Sequence, residues 1–213
     1  MGFDTSVESA LEHYTRNEYH YSIPIIKNAD IFLTGSHSLF GSIIRVMLYR
    51  KDDKAPFNHI AGGVVPFKVI EALSTVQENH VSRYLTGKKR WCIIARHKYL
   101  TDEQRQLMVD NAREYVGDLY PYHKIGLQVF DNVLGWCGIE SNWFSKNLSW
   151  SKRPYCSELW SKLYYLNAYM RINAVHWKSC TPDDWFEEIR RHLDEWEIIF
   201  QYNIDVSKYL ETA

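Results

Sequence analysis

The chain has 213 residues, 46% of them apolar and 24% charged, which is close to the globular average, supplies a sizeable core and excludes general disorder. Its 25 Lys and Arg balance 26 Asp and Glu, so no global field draws it to phosphate backbones and nucleic acid is excluded as a first-choice partner. The apolar stretches around Ile43 to Leu48 and Ile60 to Val65 fall short of the ~18–20 residues that a membrane-spanning helix needs, so no transmembrane segment is expected.

Residues 1–27 read as a helical appendage: Val7, Ala10, Leu11 and Tyr14 recur at helical spacing over 5–17, and an Ile/Pro connector follows. Asp4, Glu8, Glu12 and Glu18 do not fit a secretory signal, so the expected location is the cytoplasm, with a virus particle or a host cell as alternatives. The start, Met1 to Ser6, fits the loose acylation consensus M-G-x-x-x-[ST] and equally an ordinary chain start. Residues 28–213 read as one domain. It opens with a buried strand at Ile31–Thr34 closed by Gly35, and a helix capped by Ser38 follows. Phe57 to Val65 and Lys68 to Leu73 form a hairpin around a Pro66-Phe67 corner, and a strand at Trp91–Ala95 extends the sheet. Thr101 and Gln104 make a capping box for a helix that ends at Gly117. A helix over 124–134, a long loop over 135–150, a helix from Tyr155 to about Asn167, a helix capped by Thr181 and a closing strand at Trp196–Tyr202 complete the order.

The four cysteines, Cys92, Cys137, Cys156 and Cys180, contain no CxxC pair and are too sparse for a disulfide framework, so reduced thiols are expected. Cys156 follows Pro154 and therefore falls in the first turn of a helix, where free N–H groups and the positive end of the macrodipole favour a thiolate. It also heads an apolar stripe with Leu159, Trp160, Leu163 and Tyr164, which is the pattern of a packing cysteine. A hairpin turning about Val65 sets His59 directly opposite Glu71, the geometry in which a carboxylate orients a general base and also that of a solvated cross-strand pair. Ala61, Gly62 and Gly63 allow a backbone or a substrate to approach the sheet closely, or mark a bulge. His176 and Cys180 are four apart on a possible helical turn, but Cys137 and Cys156 lack knuckle spacing, so neither zinc nor another cofactor is expected. The other histidines, His13, His20, His37, His80, His97, His123 and His192, have no partner by spacing.

Six segments in one order resemble a known family. Asn28 to Leu33 resembles a G-D-I-hydrophobic strand, Asn58 to Val65 an S/T-H-V-G-I-V strand, and Val69 to Ala72 the strand with the acidic partner. Gly117 to Tyr122 resembles a G-x-x-Y segment, Tyr155 to Leu159 the nucleophile motif and Thr181 to Asp184 a T-P-x-D helix start. The family is that of the circularly permuted papain-like amidohydrolases, the YiiX-like branch of the NlpC-type superfamily, and the similarity spans residues 28–192. It implies an α+β fold of permuted papain-like type, with an antiparallel sheet packed on helices and the nucleophile at a helix N-terminus. It implies Cys156 as nucleophile, His59 as base and Glu71 as the orienting residue, and the order His, Glu, Cys is what permutation produces. Ala29, Asn58 and His123 depart from the family pattern.

The expected activity is that of a cysteine hydrolase acting on an amide, ester or thioester through a thioacyl-enzyme. The substrate is a small molecule, a peptide or a lipid, and the oxyanion or substrate contacts come from the Cys156 backbone, Tyr155 and Tyr122. The alternatives are an acyltransferase with the same intermediate, or a binding protein that uses Trp136, Trp143, Phe144 and Trp150 on the same fold.

Overall fold

Six strands, β1 (Ile31–Ser36), β2 (His59–Val64), β3 (Lys68–Ala72), β4 (Val76–His80), β5 (Arg90–His97) and β6 (Trp196–Tyr202), pair antiparallel in the order β4-β3-β2-β1-β5-β6. The computed structural model describes residues 25–36, 56–119 and 155–210. The expected helices at 5–17, after Ser38 and over 124–134, the 135–150 loop and Tyr122 lie outside those residues. Successive side chains of a strand point to opposite faces. Ile31, Leu33, Ile60, Ile70 and Ile93 therefore join one core, while Phe32, Ala61, Val69, Cys92 and Ile94 join a second core on the other face. Burial on both faces explains why these strands read as continuous apolar runs.

The first core is covered by helices α1 (Asp102–Arg113), α2 (Cys156–Ala168) and α3 (Pro182–Arg191), with a short turn of helix at Ser207–Leu210 beside it. Local chemistry sets their starts. The Thr101 hydroxyl accepts from Gln104 N (3.2 Å) while Gln104 Oε1 accepts from Thr101 N (3.0 Å), and Thr181 with Asp184 repeats the arrangement ahead of Pro182. Helix α1 stops at Arg113, short of the expected Gly117, and turns carry the chain on to that glycine at φ +98°. The second core is covered by a crossover: Val81, Tyr84 and Leu85 pass beneath the sheet between β4 and β5.

The β2–β3 register differs from the expectation. Ala61 pairs with Glu71 and Val64 with Lys68, so the hairpin turns about Pro66 rather than Val65. Proline lacks the N–H that a ladder position needs and takes the corner. His59 thus lies diagonally from Glu71 and not directly opposite. The pairing moves by two positions and not one, so both side chains keep a common face.

The glycines of β2 are filled by the protein itself, and pairing through them is continuous, without a bulge. A Cβ on Gly62 would lie 2.0 Å from the Trp160 ring, and one on Gly63 would lie 2.9 Å from Ile26 and the Lys27 carbonyl. The Trp160 ring packs on Gly62 and donates its indole N–H to Ile70 O (3.0 Å), which fixes α2 against β2 and β3.

Candidate active site

Glu71 is buried, and both of its oxygens are fully engaged. Oε2 accepts from His59 Nε2 (2.8 Å) and from the Tyr84 hydroxyl, while Oε1 accepts from Asn79 Nδ2 (2.8 Å) and Arg83 Nη1 (3.1 Å). Burial alone would push the carboxyl up. The donors led by His59, with Tyr84 and Arg83, outweigh it and hold Glu71 below its ordinary range, hence ionised. An ionised acceptor fixes the imidazole tautomer: Nε2 carries the proton towards Glu71, which leaves Nδ1 as the ring nitrogen for another partner.

That partner is Cys156. It is the first residue of α2, after Tyr155 in extended conformation at the N-cap, with Tyr155 N donating to Glu158 Oε2 (3.4 Å). The Cys156 sulfur is hydrogen-bonded to the His59 side chain and receives the backbone N–H groups of Ile60 and Ser157. Burial pushes the thiol up, but the His59 charge and these hydrogen bonds bring it below its ordinary value of 9. For His59, burial disfavours the imidazolium, while Cys156 and then Glu71 raise it from 6.5 to about 10. The two shifts have one cause, because the thiolate and the imidazolium each favour the charged form of the other. Cys92 and Cys180 lack such a cation, and burial pushes both thiols far up. The packing stripe expected on this helix is also present: Leu159, Trp160, Leu163 and Tyr164 are buried, and Cys156, 6% exposed, is its outermost member.

The structure brings Cys156, His59 and Glu71 together, gives Tyr155, His176 and Cys180 other partners, and does not describe Tyr122 or Cys137. The Tyr155 hydroxyl donates to the carbonyls of Lys178 (2.9 Å) and Cys180 (3.2 Å), where with Ser157 Oγ (2.6 Å to Cys180 O) it anchors the start of α2. His176 and Cys180 do not share a helical turn; they flank a 3-10 helix at Trp177–Ser179, because His176 caps it and its Nδ1 accepts from Lys178 N (3.2 Å). Among the described residues no group of three or more His, Cys, Asp or Glu side chains could hold a metal, and Cys137 lies outside them. Sequence reasoning missed Asn79, Arg83 and Tyr84. Strand β4, Val-Gln-Glu-Asn-His, has little β propensity, and the crossover after it shows no periodicity that points at Glu71.

No protein-family model matches the chain, and no curated protein matches it. A solved structure does: the crystal structure of metalloprotein yiiX from Escherichia coli O157:H7 is similar to this chain with a TM-score of 0.50 and 22% sequence identity, over 70% of this chain and 70% of that one. The similarity concerns the fold, a mixed α+β arrangement with a six-stranded antiparallel sheet backed by helices.

Proposed function

We propose that the chain is a cysteine hydrolase of the permuted papain-like, NlpC-type class, with Cys156 as nucleophile, His59 as general acid and base, and Glu71 as the residue that orients His59. The observation that carries this reading is a thiol at a helix N-terminus, hydrogen-bonded to an imidazole whose other nitrogen donates to a buried carboxylate. The Cys156 thiolate attacks an acyl carbonyl carbon, and the oxyanion that forms is met by the backbone N–H of Cys156. The His59 imidazolium gives its Nδ1 proton to the leaving amine, alcohol or thiol as the carbonyl re-forms. Neutral His59 then takes a proton from water, the resulting hydroxide attacks the thioacyl carbon, and sulfur leaves with the acid as second product.

The test is intact-mass trapping with a thiol-directed activity probe at neutral pH. One adduct on Cys156 is expected, absent in Cys156→Ala and slowed about 10²-fold or more in His59→Ala. Equal labelling of wild type and His59→Ala overturns the reading. An acyl-acceptor adduct that forms faster than free acid when an amine is supplied assigns the same intermediate to transfer instead of hydrolysis.

A further inference from the structure

From the end of β4 to the first residue of β5 the chain reads Val-Ser-Arg-Tyr-Leu-Thr-Gly-Lys-Lys-Arg, with Arg83, Lys88, Lys89 and Arg90 and no acidic residue. In a protein of net charge -1 this is a local field, and the fold directs it to one place. The start of β2, the end of β1 and the start of β5 lie at the same end of the sheet, since His59 pairs with Thr34, Thr34 with Cys92, and Ser36 with Arg90. Two strand spacings and two residues put the Arg90 Cα about 12 Å from that of His59, within reach of an arginine side chain and a bound substrate together. The segment is held in place: Arg90 Nη1 donates to Arg83 O (2.5 Å), and Asn203 Nδ2 donates to the carbonyls of Gly87 (3.4 Å) and Arg90 (3.0 Å).

Among the described residues only Arg83 of these four has a carboxylate partner, and that partner is Glu71, already shared with His59, Tyr84 and Asn79. The Arg83 side chain is 39% exposed, so the guanidinium reaches from the buried carboxylate out to solvent. Thr86 through Arg90 are exposed, and the ion pairs among the described residues include none to Lys88, Lys89 or Arg90. Arg83 thus touches the Glu71 carboxylate that holds His59, and Arg90 lies two strands from His59 in the same exposed segment as Lys88 and Lys89.

We infer that Arg83, Lys88, Lys89 and Arg90 form the substrate-selecting rim of this site, and that the substrate is an acyl compound bearing a carboxylate or phosphate close to the scissile carbonyl. This rests on the cysteine reading above, and it goes further by assigning the charge of the substrate. A neutral acyl compound gains nothing from the rim, whereas an anionic one is drawn to it and held beside Cys156.

The experiment compares alkylation of Cys156 in the full chain by iodoacetate and by iodoacetamide, which differ in charge and deliver nearly the same adduct. Each rate is divided by the rate of the same reagent with a small free thiol at the same pH. The variant is Lys88→Glu/Lys89→Glu, at exposed positions outside the catalytic machinery, so that the attraction exerted by the His59 imidazolium is common to both proteins. The iodoacetate rate is expected to fall about three- to tenfold in the variant at low ionic strength, with the iodoacetamide rate unchanged and the difference shrinking with added salt. Brisk iodoacetamide labelling with an iodoacetate rate indifferent to both variant and salt overturns the rim while leaving the nucleophile in place. Absence of iodoacetamide labelling at Cys156 overturns the nucleophile, and the rim's role with it.

Discussion

Asp30 and Glu71 are both carboxylates with fully buried side chains, and they differ in whether their partners can exchange a proton. Asp30 accepts from Arg96 Nε (3.0 Å) and Nη2 (2.7 Å), from Arg105 Nη1 (3.3 Å) and from Lys27 N (2.8 Å). Arginine does not give up its proton, so this hub has no partner that can take part in proton transfer, and it ties the start of β1 to β5 and α1. Glu71 has one arginine too, but its central partner is an imidazole that can gain and lose a proton, with a sulfur on the far side. Burial of a carboxylate therefore does not by itself mark a functional site. What sets Glu71 apart is a titratable partner beside the proposed nucleophile.

Paired substitutions break or sharpen that contrast. Glu71→Gln should reduce neutral-pH alkylation of Cys156 by about 10²-fold, because the amide no longer fixes the imidazole tautomer or supports the imidazolium. Asp30→Asn should leave the rate per folded molecule within about twofold of wild type and cost about 3–5 kcal/mol in a denaturant melt, since Arg105, with a side chain only 4% exposed, loses its counter-charge. If Asp30→Asn proves as damaging to reactivity as Glu71→Gln in folded protein, the two hubs are not distinct.

Gly62 extends the comparison to packing. Gly62→Ala forces the buried Trp160 ring to move and should destabilise by about 1–3 kcal/mol in the same melt. Because Trp160 fixes the helix that carries Cys156, labelling should slow as well. Gly87→Ala is the control: its added methyl meets open space, its φ of +95° confines the cost to the backbone, and Cys156 labelling should not change.

Much of this was legible in the sequence because the features are local. The capping box at Thr101, the Thr181 cap, the helix start read at Tyr155 and found at Cys156, and the strands read at Ile31–Thr34 and Trp91–Ala95, each found a little longer, follow from residue chemistry within one or two turns. The pairing of His59 with Glu71 was readable only up to parity. The exact register depended on where Pro66 placed the corner, and the contact survived because both registers keep the same face inward. Ala29 shows the opposite case. It stands where the family pattern has glycine, and the structure gives it φ +60°, the conformation that glycine adopts without strain. The remaining donors to Glu71 were illegible because they come from an edge strand of poor propensity and from a crossover. Their positions follow from the sheet order and not from any period in the chain.

The pH dependence tests whether sulfur and imidazole act as a pair. With Cys156 below its ordinary value of 9, the rise in alkylation should come at lower pH than for a free thiol, whereas Cys92 and Cys180, pushed upward by burial, stay unlabelled. A second step should appear near pH 10, where His59 loses its proton and the thiolate becomes a free one. A single rise centred at an ordinary thiol value would show that the contact does not ionise the sulfur.

The mildest changes are expected among the other donors to Glu71, first Tyr84, which donates to the same Glu71 oxygen as His59. A carboxylate shared among four donors offers each only part of its charge, so Tyr84→Phe should increase the share left for His59. The sign follows: a stronger acceptor stabilises the imidazolium, and the upper step of the alkylation profile moves to higher pH while the neutral-pH rate changes by less than about threefold. Asn79→Ala removes a donor from the other oxygen and should move the step in the same direction by a smaller amount. If Tyr84 only packs against Phe32 and the His59 ring, its phenylalanine variant keeps those contacts and the step stays where it is. Movement of the upper step in Tyr84→Phe therefore separates a hydroxyl that tunes the base from a ring that only fills space.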